Sequence, residues 1–484
     1  MAVDAGLLRE LGSVLGPGLL SSPEACVAYE CDALTAHRHR PDLVALPTSV
    51  EQVQQVVRAC HRHAVPVVAR GSGTGLSGGA LPVAGGLLLV LSRLDKILEV
   101  DPRRGLARVQ PGVTNLAVSG AAAPYGMYYA PDPSSQVACS VGGNVAENSG
   151  GVHCLKYGLT VHNVLAVKLV TMEGELLTLG SGTGEAPGLN LLGAVIGSEG
   201  LLGIVVEVTV RLLPLPRRVE LLLAAFDDVG RCAEAVGQVI AAGIIPAGLE
   251  MMDAPAIRAA EAFAGCGYPL DAQALLLCEV DGLPADVDDE LGRARALLET
   301  AGATSVRIAS DAAERQRMWS GRKAAFPAVG RLAPDYYCMD GTIPRRHLAD
   351  VLAQIAALST TYRLDVANVF HAGDGNLHPL ILFDAGKAGE LERAELFGAD
   401  ILEACVAAGG TVTGEHGVGV EKLGPMCSQF GSAELATFHA LKLAFDPAGL
   451  LNPGKAVPTL ARCADYGALR VHGGRLPHSH LPRF

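Results

Sequence analysis

A glycine-rich run at residues 70–79 constrains the fold of this chain more than any other feature of its sequence. The run reads Arg-Gly-Ser-Gly-Thr-Gly-Leu-Ser-Gly-Gly, and it follows a strand-like apolar segment at residues 65–69. Glycine readily adopts the conformations that turn successive backbone N–H groups toward one anion. We therefore expect this loop to hold the phosphates of a dinucleotide cofactor, with a purely structural turn as the alternative.

The loop also contains the spacing of the nicotinamide-dinucleotide fingerprint. Gly73, Gly75 and Gly78 fit that pattern, and Asp95 stands where a ribose-binding acid is expected. The fingerprint works only if its glycines open a helix. Here more glycines follow and lead directly to a strand-like run at residues 87–91, which leaves no room for a helix. We interpret the match as accidental and expect loop backbone alone to bind the phosphates.

Composition excludes several classes of partner and cofactor. The formal net charge of −12 offers no basic surface for nucleic acid or an anionic membrane. The 12 cysteines are scattered with no Cys-x-x-Cys pair, which predicts reduced, buried thiols and no iron–sulfur or zinc cluster within the chain. No apolar run reaches the length of about 18 residues that a membrane span needs. We expect a cytoplasmic protein, at most peripheral on the cytoplasmic membrane.

The pattern of apolar runs, glycines and prolines predicts an α+β protein with two main domains. Residues 1–40 predict a helical lead-in, and residues 41–216 predict an α/β domain whose first helix begins at a capping box, Thr48 to Glu51. A proline-rich linker then precedes residues 217–456, which predict an antiparallel sheet with helices on one face and a helical C-terminal segment. Residues 457–484 predict a loose tail.

A histidine-bearing hairpin predicts a metal site in the second domain. Residues 369–382 place apolar flanks around Gly-Asp-Gly-Asn, and a two-residue turn there would set His371 opposite His378 on one face. Glu415 could complete a two-histidine, one-carboxylate site suited to a bidentate 2-hydroxy acid, with His416 free as a general base. A hydrogen-bonded turn without metal remains the alternative.

The first domain resembles the FAD-binding domain of the vanillyl-alcohol-oxidase superfamily. The resemblance lies in the glycine loop, Pro-Asp-Pro at 131–133, Gly-Gly-Asn at 142–144 and the segment 196–204. It implies that FAD is bound non-covalently, because the loop has Ser72 and no histidine to which flavin could be attached. The implied FAD-binding residues are Arg70, Gly71, Ser72, Gly73, Thr74, Gly75, Leu76, Ser77, Gly78, Pro131, Asp132, Ser135, Gly142, Gly143, Asn144, Glu199, Gly203 and Ile204.

The second domain resembles the C-terminal domain of FAD-linked oxidases that act on D-lactate, D-2-hydroxyglutarate and glycolate. His-x-Gly-Asp-Gly-Asn-Leu-His and Gly-Glu-His-Gly are specific to that group, and residues 451–455 resemble its closing signature. The resemblance implies that a divalent metal (zinc, manganese or iron) binds His371, His378 and Glu415. It also implies that His416 is the base and that Asn452 lies near the flavin.

A third stretch, residues 319–344, is similar to the glycolate-oxidising members of this family. The similarity implies that Arg322 clamps the substrate carboxylate. Cys338 stands where the 2-hydroxyglutarate enzymes have a lysine, a cation that the second carboxylate of their substrate would need, so a small monoacid is favoured. The expected reaction is oxidation of glycolate to glyoxylate, with D-lactate a possible substrate. Electrons would pass through a second flavin-domain subunit and an iron–sulfur subunit toward quinone. The alternatives are a stand-alone D-lactate dehydrogenase and a flavin-binding assembly subunit without turnover.

Overall fold

The computed structural model describes residues 4–185, 188–459 and 462–463. Its first part contains a four-stranded sheet in which the lead-in strand is antiparallel and the others are parallel. These strands are Leu19–Leu20, Leu43–Ala45, Val67–Arg70 and Leu87–Val90. The predicted lead-in helix, Ala5–Leu15, buries Leu7 and Leu11 against the helix Val50–Arg62. The lead-in is therefore part of the first core.

The capping box lies one residue later than predicted. Ser49 is the N-cap, and its hydroxyl accepts from the backbone N–H of Gln52 at 3.2 Å. The Gln52 side chain in turn accepts from the backbone N–H of Thr48 at 2.7 Å. Ser49 and Gln52 satisfy the same cap pattern as Thr48 and Glu51, so the sequence offered two registers.

A five-stranded antiparallel sheet completes the first domain and shares a core with the parallel strands. Its strands are Ile97–Asp101, Leu106–Val109, Val164–Val170, Leu176–Gly180 and Ile204–Arg211. A short ribbon, Met127–Tyr128 with Leu213–Pro214, closes one end. The helices of this half are Ala5–Leu15, Pro23–Cys26, Val50–Arg62, Asn115–Ala122, Val141–Glu147, Cys154–Tyr157, Thr160–Asn163 and Leu191–Val195.

The glycine loop runs from Val67–Arg70 to the parallel strand Leu87–Val90 without a helix between them. The predicted absence of a helix after the glycines is thus confirmed, and the interpretation of the nicotinamide fingerprint as accidental depends on that absence. Any phosphate held at this loop meets turn backbone rather than a helix N-terminus.

The second domain is built on a seven-stranded sheet in which every pairing is antiparallel. Its strands are Arg218–Phe226, Gly248–Asp253, Ala274–Gly282, Ser305–Ile308, Asp335–Cys338, Val366–His371 and Pro379–Phe383. The helices are Val229–Ala241, Ala254–Ala264, Pro284–Thr300, Ala312–Lys323, Ala325–Val329, Leu348–Tyr362, Glu390–Ala407, Leu423–Gln429 and Ser432–Phe445.

Helices cover both faces of this sheet, so the prediction of helices on one face is wrong. Leu222 and Leu276 lie in one buried cluster, with the helices Val229–Ala241 and Glu390–Ala407. Leu221 and Leu275 point the other way into a second cluster, with the helix Ala254–Ala264. The uninterrupted apolar composition of the two central strands is typical of burial on both faces, whereas a one-sided sheet alternates apolar and polar residues.

The C-terminal segment returns to the first domain after the predicted helical region. Leu451 pairs with Val67, and the backbone N–H of Asn452 donates to the carbonyl of Val67 at 2.8 Å. Residues of the predicted closing signature therefore stand beside the strand that enters the glycine loop. Most of the predicted tail, residues 464–484, lies outside the described residues.

A disulfide joins Cys427 to Cys463, which corrects the prediction that all thiols are reduced. The partners are 36 residues apart, and the intervening chain brings them to a Cα separation of 5.2 Å. Short-range cysteine spacing cannot reveal such a pair, because only the fold brings the two residues together. The other ten cysteines are free, and all but Cys31 are buried. No helix among the described residues is long and apolar enough to cross a membrane.

Candidate active site

A cavity of about 560 Å³ lies where the two domains meet. Its walls from the first domain are the glycine loop, the loop at residues 133–135, the segment around helix Val141–Glu147 and the segment before strand Ile204–Arg211. The second domain contributes Lys323, Phe326, Pro327, His378, Glu415 and His416. The loops predicted to bind a dinucleotide and the histidines predicted to do chemistry therefore face one space, of a size typical of cofactor sites.

Most of the predicted FAD-binding residues line this cavity. They are Arg70, Gly71, Ser72, Gly73, Thr74, Gly75, Leu76, Ser135, Gly142, Gly143, Asn144, Glu199, Gly203 and Ile204. Gly71 illustrates why the wall needs glycine, because a Cβ atom there would lie 2.0 Å from the Ser140 hydroxyl oxygen. Two cofactor-binding segments approach each other more closely at this point than any larger residue allows.

The remaining predicted residues stand behind the wall and support it. Ser77 donates its hydroxyl hydrogen to the carbonyl of His416 at 2.9 Å, which ties the glycine loop to the segment of the predicted base. Asn452 donates to the carbonyls of Gly79 and Glu199, at 3.0 and 2.7 Å. Val420 packs against Gly78, where a Cβ would approach it to 2.6 Å. These residues shape the cavity without bordering it.

Pro131 and Asp132 also lie outside the cavity wall. The carbonyl of Pro131 accepts from the Asn115 side chain at 3.0 Å. Asp132 pairs with Nδ1 of His153 at 2.8 Å, and Nε2 of His153 lies 3.0 Å from Glu279 in the second domain. The motif that was predicted to contact FAD thus carries, through His153, an ionic link between the domains.

The histidine hairpin has a register two residues away from the predicted one. His371 pairs with Asn376, and Asn368 pairs with Pro379, so the turn contains four residues rather than two. His378 is therefore diagonal to His371. Side chains alternate between faces with a period of two, so a slip of two residues keeps both imidazoles on the same face. Their ring centroids are 5.0 Å apart.

One carboxylate oxygen lies at the centre of the three histidines. Glu415 Oε1 is 3.3 Å from Nε2 of His371, 3.2 Å from Nε2 of His378 and 3.5 Å from Nε2 of His416. The rings of His378 and His416 stack at a centroid distance of 4.8 Å. The predicted metal ligands and the predicted base therefore form one cluster. The hydrogen bond between Nδ1 of His371 and Glu250, at 2.8 Å, turns Nε2 of His371 toward the centre.

Asp340 holds the Glu415 loop in place, a role that the sequence did not predict. Its buried carboxylate accepts from the backbone N–H groups of Gly414, Glu415 and His416, at 3.1, 3.2 and 2.8 Å. The ammonium of Lys422 lies 3.1 Å away and neutralises its charge. Three consecutive N–H groups converge on one carboxylate, so the backbone from which the side chains of residues 415 and 416 extend is held in place.

The electrostatics of the cluster favour charged carboxylates. Burial opposes the charge of Glu415, but the attraction and the hydrogen bond of His371, with the nearby imidazoles of His378 and His416, hold the pKa of Glu415 well below its usual range. Burial likewise opposes the charge of His371, yet Glu250 and Glu415 raise the pKa of His371 well above its ordinary value. The buried carboxylates and the His371 imidazole therefore favour each other's charged forms.

The donor atoms of this cluster fit a divalent cation. His371, His378 and Glu415 present ligand atoms within 4.8 Å of one another, and so do Asp340, His378 and His416. Both ring nitrogens of His378 are buried without a hydrogen-bond partner among the described residues. Unpartnered buried nitrogens are costly, and a metal would satisfy one of them. The first group is the better match, because Asp340 is already occupied by Lys422 and backbone N–H groups.

Arg322, the predicted carboxylate clamp, does not line the cavity. Its side chain is 1% exposed and its Nε and Nη2 lie 2.7 and 2.6 Å from Glu250, the carboxylate behind His371. Its predicted role as a clamp therefore has no support in this geometry. The next residue, Lys323, does border the cavity, and no described carboxylate lies within ion-pairing distance of its ammonium.

Two other acidic residues at or beside the cavity were not predicted from the sequence. Glu147 borders the cavity, and burial and neighbouring Glu199 raise the pKa of Glu147 well above its usual range. Glu250 sits on the strand Gly248–Asp253 amid apolar residues. A lone acid within a run of apolar strand residues was the available signal for Glu250. Glu147 lies three residues after the Gly-Gly-Asn motif at 142–144, and no separate signal distinguished it.

Comparison with known proteins settles the family. Residues 41–180 match the family described as "FAD binding domain", and residues 215–456 match "FAD linked oxidases, C-terminal domain". The chain belongs to the FAD-linked oxidases. The predicted superfamily and its FAD-binding domain are thereby confirmed.

Curated relatives match almost the whole chain. The chain is 61% identical to "Glycolate oxidase subunit GlcD" of Escherichia coli strain K12, over 99% of this chain and 95% of that protein. It is 38% identical to the protein of the same name from Bacillus subtilis, over 94% of this chain and 97% of that protein. A "D-lactate dehydrogenase" of Anaerostipes hadrus is 32% identical over 86% of this chain and 89% of its own length.

Solved structures confirm the predicted fold class. p-Cresol methylhydroxylase superposes with a TM-score of 0.79 at 17% identity, over 95% of this chain and 98% of that chain. The 4-ethylphenol oxidase from Gulosibacter chungangensis gives the same TM-score and identity, over 95% and 99%. At this identity the likeness concerns the fold alone, an FAD-binding domain joined to a domain with a large antiparallel sheet.

Proposed function

We propose that this chain oxidises glycolate to glyoxylate with non-covalently bound FAD. The observation that carries the proposal is the single cavity that joins the glycine loop to His378, Glu415 and His416. The extensive identity to glycolate oxidase subunits of two bacteria supports this choice of substrate. Bound FAD would supply the chemistry of hydride acceptance, and the residues of this chain would bind, orient and deprotonate the substrate.

His371, His378 and Glu415 would hold a divalent metal, whether zinc, manganese or iron. A metal there would lower the pKa of a coordinated hydroxyl group. The hydrogen bond from His371 to Glu250 orients that ligand, and Arg322 keeps Glu250 in place from behind. Carboxylate support of this kind is typical of metal-binding histidines.

His416 would accept the substrate hydroxyl proton at Nε2. This atom lies 3.5 Å from Glu415 Oε1 and so faces the residues that would hold the metal. Asp340 fixes the backbone N–H of His416, and Ser77 fixes its carbonyl. With both backbone groups fixed, the imidazole extends toward the cavity from a defined position, as a general base must to reach a substrate proton.

Lys323 would attract the substrate carboxylate from the cavity wall. It ends the helix Ala312–Lys323, one residue after the buried Arg322, and it reaches the same space as His416. An ammonium forms a charge-assisted contact with a carboxylate. In this proposal Arg322 acts on the substrate only through Glu250 and His371.

Electrons would leave through partner subunits, a second flavin-domain protein and an iron–sulfur protein, toward quinone. The relatives' names describe subunits, which supports a multi-subunit assembly. Neither group of metal-binding side chains found among the described residues contains a cysteine. The assembly would act on the cytoplasmic side, at most peripheral to the membrane.

The proposal is tested by anaerobic mixing of the FAD-loaded protein with 2-hydroxy acids. Glycolate should bleach the oxidised-flavin absorbance, and D-lactate should do so with a lower kcat/KM. A flavin that stays oxidised with glycolate but bleaches with D-lactate would favour the alternative represented by the Anaerostipes hadrus relative. A flavin that no 2-hydroxy acid reduces would support an assembly subunit without turnover.

A further inference from the structure

A second cavity, of about 210 Å³, lies in the second domain and shares no lining residue with the first. It opens between the helix Glu390–Ala407 and the residues that follow the Glu415 loop. Its apolar lining comes from Met339, Leu402 and Val420. The proposed oxidation makes no use of this space.

A buried carboxylate without hydrogen bonds borders this cavity. The Glu421 side chain is 3% exposed, and neither of its carboxylate oxygens meets a donor of the described residues at hydrogen-bonding geometry. The Tyr337 hydroxyl is a neutral neighbour of this carboxylate on the cavity wall, and burial together with Glu421 and Glu395 raises the pKa of Tyr337. The nearest cation is Lys422, whose ammonium is 3.8 Å from Oε2. The three N–H groups of that ammonium already point to Asp340, Thr413 and the carbonyl of Gly417, at 3.1, 3.3 and 2.9 Å. Lys422 therefore supplies charge to Glu421 but no hydrogen bond.

An unpartnered carboxylate in such a place is costly unless it is protonated or meets a cation. Burial raises the pKa of Glu421 to about 7, so the charged form is accessible near neutral pH. The adjoining cavity leaves room for an ammonium group, which would bring the donors that Lys422 cannot spare.

The rim of the cavity includes one cation without a carboxylate partner among the described residues, Arg462. Arg462 lines it beside the ion pair of His37 and Glu395, whose nitrogen and oxygen are 3.5 Å apart. The next residue, Cys463, is bonded to Cys427 of the helix Leu423–Gln429, which ties the Arg462 segment to the helix that contributes Pro425 to the cavity wall. A ligand that lies between Glu421 and Arg462 therefore meets an acid at its inner end and a guanidinium at its outer end.

We propose that this second cavity binds a small α-amino acid, with the ammonium group at Glu421 and the carboxylate at Arg462. The cavity volume limits the side chain of this amino acid to a few carbon atoms, and the apolar wall would contact that side chain. Lys422 contacts both Glu421 and Asp340. A ligand bound at Glu421 would therefore be linked through Lys422 to Asp340, the carboxylate that holds the Glu415 loop.

Isothermal titration calorimetry on the full-length, FAD-loaded protein tests this proposal. The probes are glycine and L-alanine, with methylammonium as an ammonium without carboxylate and acetate as a carboxylate without ammonium. We expect glycine and alanine to bind with a stoichiometry of one, methylammonium more weakly and acetate not at all. Glu421→Gln, which is isosteric and uncharged, should weaken amino-acid binding at least about tenfold, because a charge-assisted hydrogen bond is lost.

The variant also distinguishes this cavity from the active site, since glycine resembles glycolate in size. Binding in the first cavity would survive Glu421→Gln unchanged, and that result would overturn the proposal. So would the absence of amino-acid binding to the unaltered protein. Methylammonium that binds as tightly as glycine would overturn the role of Arg462, and Arg462→Met should weaken glycine binding but leave methylammonium binding as it was.

Discussion

The adjacent residues Arg322 and Lys323 allow a direct test of which cation serves the substrate. Arg322 is 1% exposed and paired with a fully buried Glu250, whereas Lys323 is exposed and borders the cavity. Substitution of each by methionine removes the charge and keeps most of the side-chain length. We expect Arg322→Met to reduce stability and Lys323→Met to reduce substrate affinity.

The magnitudes follow from burial. Removing one partner of a buried ion pair costs about 3–5 kcal/mol, and the lower end applies because Glu250 keeps its hydrogen bond to His371. At about 2–4 °C per kcal/mol, the melting temperature of Arg322→Met should fall by roughly 6–12 °C. An exposed lysine contributes within about 0.5 kcal/mol to stability. The charged hydrogen bond it offers a substrate is worth about 1.5–3 kcal/mol, or roughly ten- to a hundredfold in kcat/KM.

Thermal melting and steady-state kinetics with glycolate separate the two effects. Lys323→Met should melt like the unaltered protein and should lose kcat/KM through a higher KM, the signature of lost ground-state binding. Arg322→Lys, which retains charge, gives a folded comparison if Arg322→Met does not fold. The reasoning is refuted if Lys323→Met keeps its kcat/KM while Arg322→Lys melts normally and loses activity, because Arg322 would then be the clamp.

Three further predictions concern the proton, the metal and the domain contact. His416→Gln should retain flavin absorbance and slow the reduction of flavin by glycolate by about 10²–10⁴-fold; reduction at the unaltered rate would exclude His416 as the base. Removal of divalent metal by a chelator should abolish flavin reduction, and zinc, manganese or iron should restore it; full activity of metal-free protein would contradict a metal role. Burial disfavours the His153 charge, but Asp132 and Glu279 raise the pKa of His153 well above its ordinary value. The stability from this raised pKa is complete below pH 6.5, the unfolded value, and is lost as pH rises through the folded pKa. His153→Gln should therefore melt lower than the unaltered protein at pH 6, with the gap narrowing as pH rises; a gap that is constant with pH would show that His153 acts without its charge.

The glycine loop shows how much of the fold was available from the sequence. Its composition predicts a phosphate-binding turn, and the glycines between it and Leu87–Val90 exclude a helix, which the structure confirms. The central strands of the second domain have uninterrupted apolar runs, which indicate burial on both faces of the sheet. The prediction of helices on one face overlooked this pattern. Local composition is thus sufficient where the backbone itself dictates the conformation.

Contacts between distant segments were beyond the reach of local patterns. Asp340 is 76 residues from His416, yet its carboxylate fixes the backbone of that residue. Cys427 and Cys463 became a pair only because the intervening helix returns the chain. Such partners are decided by tertiary packing, so neither spacing nor composition in one sequence identifies them.

The histidine hairpin explains why the cluster of His371, His378 and Glu415 was nevertheless predicted from a wrong register. The turn has four residues, and a shorter turn was assumed because Asp-Gly is a strong two-residue turn signal. An error of one residue would have sent His371 and His378 to opposite faces of the sheet and separated them. An error of two residues moves a side chain along the same face, so the imidazoles stay 5.0 Å apart and remain beside Glu415. What the sequence specifies most firmly here is the parity of the hairpin, and parity is sufficient to bring two imidazoles beside one carboxylate.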